Sequence, residues 1–344
     1  MLRRDGTLHN LTRLKAGDVS DPDVSYDGQR IVFSMMKDKT DWWHLYEIRA
    51  DGTGLRQLTS GDHDKVDPCY LPNGQICFCS NRTGILNEYE MQRAELLYVM
   101  AADGSNVRQI SFHLSEDFNP VVLQDGWVLW CRCEHHGSRD DFPLFVTRPD
   151  GRDTAEFFGS KGAIQEPIKV FFEATQLADG RVISTALRHF YTWEAGALVV
   201  IDPRRGPTDG VAPLNVTPAT PTGWEASADG RYKIPCAMAD GSLLASRASG
   251  PVSTMWVPDL ARVHDPEERA RLMVKKKPDF GIWRLVWDAS GTRLLRDRML
   301  YNDPACADLV PRPLVPLARP TSAPHDPRGN PIPPRTRLPE AHSQ

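Results

Sequence analysis

A short unit of two alternating apolar runs joined by Asp-Gly, or by a close equivalent, recurs along this chain of 344 residues. The copies are LYEIRADGTGLRQLT (45–59), LYVMAADGSNVRQI (97–110), LFVTRPDGRDTAEFF (144–158) and IWRLVWDASGTRLL (282–295). Asp-Gly tolerates the positive φ angles of tight hairpin turns, so each copy predicts a β-hairpin. The opening LRRDGTLHNLT (2–12) matches the second half of the same unit.

A second hairpin unit alternates with the first and carries a proline six residues before its turn glycine. Its copies are DPDVSYDGQRIVFS (21–34), DPCYLPNGQICFCS (67–80), NPVVLQDGWVLWCR (119–132), IPCAMADGSLLASR (234–247) and, with Ala174 in place of the proline, EATQLADGRVISTA (173–186). The prolines are Pro22, Pro68, Pro120 and Pro235. Proline cannot donate a hydrogen bond to a ladder, so this position predicts one edge strand that recurs.

Together the two hairpins make a four-stranded unit, strands a to d, that first repeats every 46–54 residues. Such a period with antiparallel strands favours a β-propeller. Complete copies span about 20–59, 67–111, 119–158, 172–206 and 232–296. With the opening half unit, the sequence predicts an all-β, six-bladed propeller of four-stranded antiparallel blades over residues 1–303. Its first blade is incomplete, so we expect either a fragment of a longer protein or an unfinished ring.

Large side chains recur at one position of strand c and again two residues later. They are Tyr46, Tyr98, Phe145, Val199 and Trp283, followed by Ile48, Met100, Thr147, Ile201 and Leu285. Residues two apart lie on one face of a strand. We therefore expect this face to pack against the next blade.

Three stretches depart from the repeat. Residues 206–231 match no repeat position and are interpreted as an insertion. DPEERARLMVKKK (265–277) has an N-cap aspartate, a proline at the first helical position, early acids and late lysines, which predicts a short helix. Residues 304–344, with eleven prolines in 304–339, predict an extended tail outside the sheets.

Composition excludes several classes of function. The 41 basic and 45 acidic residues nearly balance, so the charge does not indicate a partner among nucleic acids. No apolar run is long enough to span a bilayer, and no apolar segment follows the N-terminal arginines as in a signal peptide. The seven cysteines contain no Cys-x-x-Cys pair of the zinc type and cannot all pair within one chain.

The alternation of DPxxSxDG with LYxxxxDGxxxRQLT resembles the TolB-type, WD40-like β-propeller repeat. The succession of ADGSLLASRA, FGIWRLVWDASGTRLLRDRMLYNDP and PRPLVPLARP near the C-terminus is similar to the propeller (middle) domain of the hydrazine synthase alpha subunit family and its bacterial relatives. Prolyl peptidases also have propellers, but their Gly-x-Ser-x-Gly nucleophile motif is absent from this sequence.

The resemblance to the hydrazine synthase family implies a propeller beside a haem-bearing domain or subunit. It also implies a periplasmic or other extracytoplasmic location. The sequence has no Cys-x-x-Cys-His. The resemblance therefore implies the propeller scaffold for this chain, but not the attachment of a c-type haem. We therefore expect no cofactor in this chain.

The densest group of potential metal ligands is CRCEHHG (131–137). Cys131, Cys133 and His135 could bind zinc or copper, for which thiolate and imidazole are suitable ligands. On a single strand, however, these side chains cannot easily complete a tetrahedron. The alternative is that Cys131, like Cys79 at the same repeat position, fills a layer of the core.

Loops that enter strand a carry many acids, and in a propeller these loops meet at one face. The sequence therefore predicts an acidic rim at the channel mouth that collects a cation or a basic peptide. Its candidates are Asp18, Asp21, Asp62, Asp64, Asp67, Glu116, Asp117 and Glu166. The alternative is that Asp-Pro begins these strands for backbone reasons, because the residue before proline is held extended.

Aromatic and histidine side chains cluster before two of the c strands. They are Trp42, Trp43 and His44, and His189 with its neighbours Phe190, Tyr191 and Trp193. Exposed aromatics are typical anchors of interfaces, although packing between blades is an equal alternative. With no interpretable catalytic constellation, the sequence favours a non-enzymatic scaffold that binds a protein or peptide partner at the loop face. The alternative is the propeller section of a larger hydrazine-synthase-like c-type haem oxidoreductase.

Overall fold

Five four-stranded antiparallel sheets follow one another along the chain, each with its strands in the order predicted, a to d. The computed structural model describes residues 1–3, 5–88, 91–136, 139–159, 168–188, 194–205, 213–223, 227–250 and 278–320. The predicted helix at 265–277 lies outside these residues, as do residues 206–212 and 224–226 of the predicted insertion. The all-β propeller architecture is confirmed.

The strand bounds define the five blades. Blade 1 contains β1 Asp18–Val24, β2 Arg30–Met36, β3 His44–Arg49 and β4 Arg56–Gln57. Blade 2 contains β5 Lys65–Tyr70, β6 Ile76–Ser80, β7 Leu96–Met100 and β8 Arg108–Gln109. Blade 3 contains β9 Asp117–Val122, β10 Val128–Arg132, β13 Leu144–Thr147 and β14 Ala155–Phe158, with a separate ribbon of β11 Glu134–His136 and β12 Arg139–Asp141.

Blade 4 contains β15 Val170–Gln176, β16 Val182–Leu187, β17 Ala197–Ile201 and β18 Leu214–Asn215. A single turn of 3₁₀-helix, Pro203–Arg205, follows β17. Blade 5 contains β19 Arg231–Ala237, β20 Leu243–Ala248, β21 Phe280–Trp287 and β22 Leu294–Tyr301. Strand d of blade 4 therefore lies inside the stretch that the sequence marked as an insertion.

The prediction of six blades is wrong, because the described residues form five. The opening segment 2–12 contributes one isolated bridge, between Leu2 and Leu8, and no strand of a sheet. Leu2 and Leu8 are 40% and 52% exposed, so the turn buries little apolar surface. Within the described residues no strand pairs with this segment, so the segment extends no ladder.

The inner strand of each blade has a β-bulge at the predicted proline position, which Ala174 occupies in blade 4. Register shifts at that place in β1, β5, β9, β15 and β19. A bulge leaves one residue out of the ladder, so the missing proline N–H costs no hydrogen bond there. The edge-strand prediction from the prolines is confirmed in all four proline-bearing blades.

The residue before each bulge proline, or before Ala174, adopts a left-handed backbone. The five residues and their φ angles are Asp21 (52°), Asp67 (52°), Asn119 (51°), Glu173 (54°) and Ile234 (54°). A left-handed conformation costs a non-glycine residue about 1 kcal/mol or more, so the surrounding sheet must hold it in place. The same backbone in five blades directs five side chains into equivalent positions.

Apolar clusters join neighbouring blades through the predicted face of strand c, which packs against the preceding blade rather than the next one. Tyr98 of blade 2 lies in a cluster with Val32 and Leu45 of blade 1. Phe145 of blade 3 packs on a cluster that includes Leu97 and Val99 of blade 2. Whether this face meets the preceding or the next blade depends on how the sheets twist around the axis. The alternation of side chains along a strand does not show that twist.

Among the described residues no blade precedes blade 1, and the corresponding face of blade 1 is covered by an N-terminal segment. Phe33, Tyr46 and Ile48 are buried there, with Leu11 and Leu14 packed against them. Contacts link the inner strands successively from β1 to β19 but are much sparser between β19 and β1. The last described segment, 302–320, carries no strand and lies beside both of these strands.

Candidate functional site

A cavity of about 620 Å³ lies among the inner strands of all five blades and the segment 310–320. At one end it is lined by the left-handed residues Asp21, Asp67, Asn119, Glu173 and Ile234. At the other end it is lined by residues of the turns between strands a and b, including Tyr26 and Gln124. The repeat therefore places one chemically variable side chain per blade at the first end.

Hydrogen bonds between blades fix the acidic side chains at this end. The Asn119 N–H and side-chain amide donate to the Asp67 carboxylate, at 2.8 and 3.2 Å. The Ile234 N–H donates to Glu173 Oε2 at 2.7 Å. Each carboxylate thus satisfies a backbone donor that the bulge of the following blade frees from the ladder.

Two further glutamates, one before β7 and one before β17, lie near these acids, although neither is among the cavity-lining residues. The charge of Glu95 acts on Asp67, and that of Asp21 acts on both Glu95 and Glu194. We call Asp21, Asp67, Glu95, Glu173 and Glu194 the acidic mouth. Lys233 adds one positive charge, its Nζ lying 3.5 Å from Glu173 and 3.8 Å from Glu194.

Four of the five carboxyl groups of the acidic mouth resist ionisation. Burial raises the pKa of Glu95 to about 8, and the charges of other acids add to the effect. Burial raises the pKa of Glu194 to about 7, against the opposing charge of Lys233. Burial and the charge of Asp21 raise the pKa of Asp67 well above its ordinary value. Burial also raises the pKa of Glu173, although Lys233 opposes the shift. A positively charged group entering here would relieve the repulsion.

Of the predicted rim, Asp21 and Asp67 line the cavity. Asp64 and Glu116 lie close enough for their charges to act on Glu95, but each already accepts hydrogen bonds, Asp64 from the Trp43 N–H and Glu116 from the Asn87 side chain. The remaining candidates Asp18 and Asp62 are exposed and are not among the cavity-lining residues, and Glu166 lies outside the described residues.

Asp117 is a structural carboxylate rather than a rim residue. It is fully buried and accepts hydrogen bonds from Trp130 Nε1 at 2.6 Å, Ser111 Oγ at 2.5 Å and His113 Nε2 at 3.0 Å. Burial alone would raise the pKa of Asp117, but the bond from His113 and the charge of Arg132 outweigh it and lower the pKa. This bonding network explains how a carboxylate is tolerated in the core of blade 3.

The predicted aromatic group divides between surface and core. Trp42 is 39% exposed, whereas His44 is buried with its Nδ1 3.2 Å from Lys65 Nζ. Lys65 also donates to the Gly61 and His63 carbonyls, and burial lowers its pKa to about 8. Trp43 is half-buried, and His189 lies outside the described residues. Among the described members of this group Trp42 is the exposed one, and its role as an interface anchor stays a prediction.

The cysteines lie mostly in the apolar cores. Cys131 is buried in the cluster between blades 3 and 4, its thiol donates to the Phe142 carbonyl, and burial raises its pKa well above the ordinary value. Cys133 is half-buried beside the same cluster, and His135 lies on β11. Within the described ranges, no three His, Cys, Asp or Glu side chains gather as metal ligands would. Metal binding by this group stays a prediction.

Sequence reasoning missed three of the five residues in the acidic mouth. Glu173 could have been found, because it occupies the repeat position of Asp21 and Asp67, with Ala174 in place of the proline. Glu95 and Glu194 precede strand c in blades 2 and 4, and no local pattern shows that these positions face the axis. Their role depends on tertiary placement.

These features define the class of protein: a β-propeller of five described blades with an acidic cavity mouth on its axis. The chain is similar to hydrazine synthase subunit alpha of Kuenenia stuttgartiensis, with 22% identity over 300 residues, covering 69% of this chain and 35% of that protein. No protein-family model matches it.

The fold itself is similar to that of a solved structure, Kuenenia stuttgartiensis hydrazine synthase. The TM-score is 0.67, with 19% identity, over 92% of this chain and 43% of that one. The chain also aligns with TolB from Acinetobacter baumannii at a TM-score of 0.43 and 13% identity, over 68% of this chain and 52% of that one. The chain spans about a third of the length of the curated relative. Among the described residues, no helix is long and apolar enough to cross a membrane.

Proposed function

We propose that this propeller is a non-catalytic scaffold that binds a protein or peptide partner at the acidic mouth, through a positively charged segment of that partner. The observation that carries the proposal is a group of five carboxyl groups from three blades, three of which line one end of the cavity. Among the described residues, Lys233 is the one basic side chain that pairs with them. The site therefore favours a positively charged ligand.

The raised pKa values make such binding depend on pH. A lysine or arginine entering the mouth stabilises the ionised carboxylates, and so lowers the pKa of Glu95 and Glu194 from about 8 and about 7. Binding is then coupled to the release of protons. Raising the pH from 6.5 to 8.5 ionises these groups in advance, so affinity for a cationic segment should increase over that range.

The test uses a penta-lysine peptide and the full chain in isothermal titration calorimetry at both pH values. We expect the Kd to be roughly fivefold lower at pH 8.5, and the double variant Glu95→Gln, Glu194→Gln to lose that pH dependence. Glu88→Gln, an exposed glutamate on the loop before β7, is the matched control and should leave the Kd unchanged. A Kd independent of pH, or equal weakening by both variants, contradicts the proposal.

A second candidate is that the chain is the propeller section of a larger, hydrazine-synthase-like oxidoreductase. The alignment with hydrazine synthase subunit alpha and the fold similarity over 92% of this chain support it. An extracytoplasmic location belongs with either proposal. In this case the chain would support a haem-bearing domain or subunit rather than perform the chemistry.

The residues of this chain do not fit a covalently attached haem of their own. The sequence has no Cys-x-x-Cys-His, and Cys69, Cys77, Cys79 and Cys131 are buried in apolar cores. The discriminating experiment is to read the flanking coding sequence for Cys-x-x-Cys-His motifs and to run a pyridine haemochrome assay on the native protein. Haem in the native protein supports the second candidate, and its absence from a complete reading frame contradicts it.

A further inference from the structure

The segment 310–320, VPRPLVPLARP, lies along the cavity as an extended peptide. It follows β22 and a turn anchored on blade 5, where the Asp308 N–H donates to the Phe280 carbonyl at 2.9 Å. It then passes the inner strands of blades 5 and 1 and approaches the turns of blades 2 and 3. A Cβ added to Gly126 would lie 3.8 Å from Pro320 and 3.9 Å from Pro72.

Contact between this segment and the blades is close but sparse. A Cβ on Gly28 would lie 3.0 Å from the Pro316 nitrogen, so the segment rests directly on the first a–b turn. The Leu317 N–H donates to the Tyr26 carbonyl at 2.9 Å, the single backbone hydrogen bond between the segment and the blades in the described part of the chain. Four prolines remove donors that a fifth ladder strand would need.

One electrostatic interaction distinguishes the segment from a passive filler. The positive charge of Arg312 acts on the Asp23 carboxylate, and both residues line the cavity. Asp23 also accepts the Tyr70 N–H at 2.8 Å, and burial raises its pKa despite the arginine. Removing the arginine would take a favourable charge interaction away from the Asp23 carboxylate in the cavity wall.

The outer side of the segment is incompletely covered. Val315 and Leu317 are 36% and 47% exposed, and Arg312 is exposed as well. A fixed part of the core would bury its apolar side chains and satisfy its backbone with several hydrogen bonds. An extended proline-rich segment, in contrast, binds with little loss of conformational freedom and is readily exchanged.

We propose that this end of the cavity is a groove for an extended, proline-containing segment with an arginine, that residues 310–320 fill it in cis, and that a partner segment of the same chemistry binds by displacing them. This site is separate from the acidic mouth, at the a–b turn end of the cavity. Asp23 is its specificity-determining residue, and Tyr26 supplies the backbone acceptor.

The test is binding of a fluorescein-labelled peptide VPRPLVPLARP to the full chain, followed by fluorescence anisotropy. The tethered segment competes at an effective concentration in the millimolar range, so the wild-type chain should bind the peptide weakly. Arg312→Ala weakens the cis contact, and we expect it to bind the peptide about tenfold more tightly than wild type. Arg298→Ala, an exposed arginine on β22, is the control and should match wild type.

Two further variants test the recognition chemistry. In the Arg312→Ala chain, Asp23→Asn should reduce peptide affinity about tenfold. Replacing the first arginine of the peptide by alanine should have the same effect. Glu95→Gln should leave this binding unchanged, so failure here is distinguishable from failure at the acidic mouth. Absence of saturable binding to Arg312→Ala, or equal affinity for wild type and Arg312→Ala, overturns the proposal.

Hydrogen exchange of the unmodified chain gives a test that does not depend on any variant folding. The Leu317 amide should exchange at least about a hundredfold faster than the amides of β6, because release of the segment requires no unfolding of a blade. Exchange as slow as that of β6 would show that the segment is a fixed part of the fold, and would overturn the proposal.

Discussion

The backbone N–H of Asn119 in blade 3 donates a 2.8 Å hydrogen bond to the carboxylate of Asp67 in blade 2, 52 residues earlier in the chain. The same relationship joins Ile234 of blade 5 to Glu173 of blade 4, 61 residues apart. In both pairs a left-handed residue on one inner strand presents an acid to the corresponding residue of the next blade. The bulges that position the acidic mouth therefore also join the blades.

The first prediction concerns the pH dependence of stability at Glu95, whose pKa is raised to about 8 from an ordinary 4.5. The folded state holds this proton more tightly, so Glu95 favours folding fully below pH 4.5, and its contribution is lost as pH rises toward about 8. Glu95→Gln should therefore raise the free energy of unfolding by about 1–3 kcal/mol at pH 8.5 and leave it unchanged at pH 4.

Thermal denaturation at the two pH values measures this effect. Glu88→Gln is the control for loss of one surface charge and should shift the Tm little at either pH. An equal Tm change for Glu95→Gln at pH 4 and pH 8.5 would mean that the mutation acts through packing and not through the proton.

The second prediction concerns Gly104, in the turn between β7 and β8. Its φ is +90°, and an added Cβ would clash with the Leu58 carbonyl oxygen of blade 1. Gly74 has a similar φ of +85° with nothing within 4 Å. Gly104→Ala should therefore cost about 3 kcal/mol or more, whereas Gly74→Ala should cost about 1–2 kcal/mol from backbone strain alone.

Urea denaturation of the two variants separates the clash from the strain. Because the φ angles match, the difference between the two free energies of unfolding reports the contact between blades 1 and 2. If the two variants lose equal free energy of unfolding, blade 1 accommodates the added Cβ at this turn without cost.

The third prediction concerns the buried carboxylate of Asp117. Asp117→Asn replaces an acceptor of three side-chain hydrogen bonds by an amide that presents a donor to the same groups. We expect a loss of about 2–4 kcal/mol at pH 7. Since the pKa of Asp117 is lowered, its stabilisation is present above pH 3.8 and is lost as pH falls further, so the loss should shrink in acid.

Asp62→Asn is the comparison, because Asp62 is exposed and carries the same change of charge. Its free energy of unfolding by urea at pH 7 should stay within about 0.5 kcal/mol of wild type. If Asp117→Asn lowers the free energy of unfolding no more than Asp62→Asn does, the hydrogen bonds to Asp117 do not stabilise blade 3.

The fourth prediction concerns thiol reactivity. Cys306 is exposed, whereas Cys79 and Cys131 are buried and burial raises the pKa of each thiol well above its ordinary value. Titration with Ellman's reagent should label Cys306 rapidly and the two buried thiols only on addition of denaturant, because the thiolate is the reactive form. Cys306→Ser should abolish the fast phase. Fast labelling of Cys131 in the native chain would contradict its place in the core.

The sequence by itself determined the strands, the hairpin turns and the recurring inner edge strand, because these depend on chemistry within a few residues. Asp-Gly admits the turn, and a proline such as Pro68 is tolerated where a bulge removes the need for its donor. The same alignment of repeats predicted Asp21 and Asp67 at the axis and offered burial of Cys131 as an alternative to metal binding. Comparison of the repeats was enough for these predictions, without the tertiary structure.

Only the tertiary structure decided the number of blades, the direction in which strand c packs and the membership of the acidic mouth. Residues 2–12 have the local pattern of two strands, but no strand of the described residues pairs with them. The charge of Asp21 acts on Glu95 and Glu194 across blades, and that of Arg312 acts on Asp23 almost 290 residues away in the chain. Burial, charge repulsion and hydrogen bonds between blades arise only when distant segments are brought together, and no local pattern encodes them.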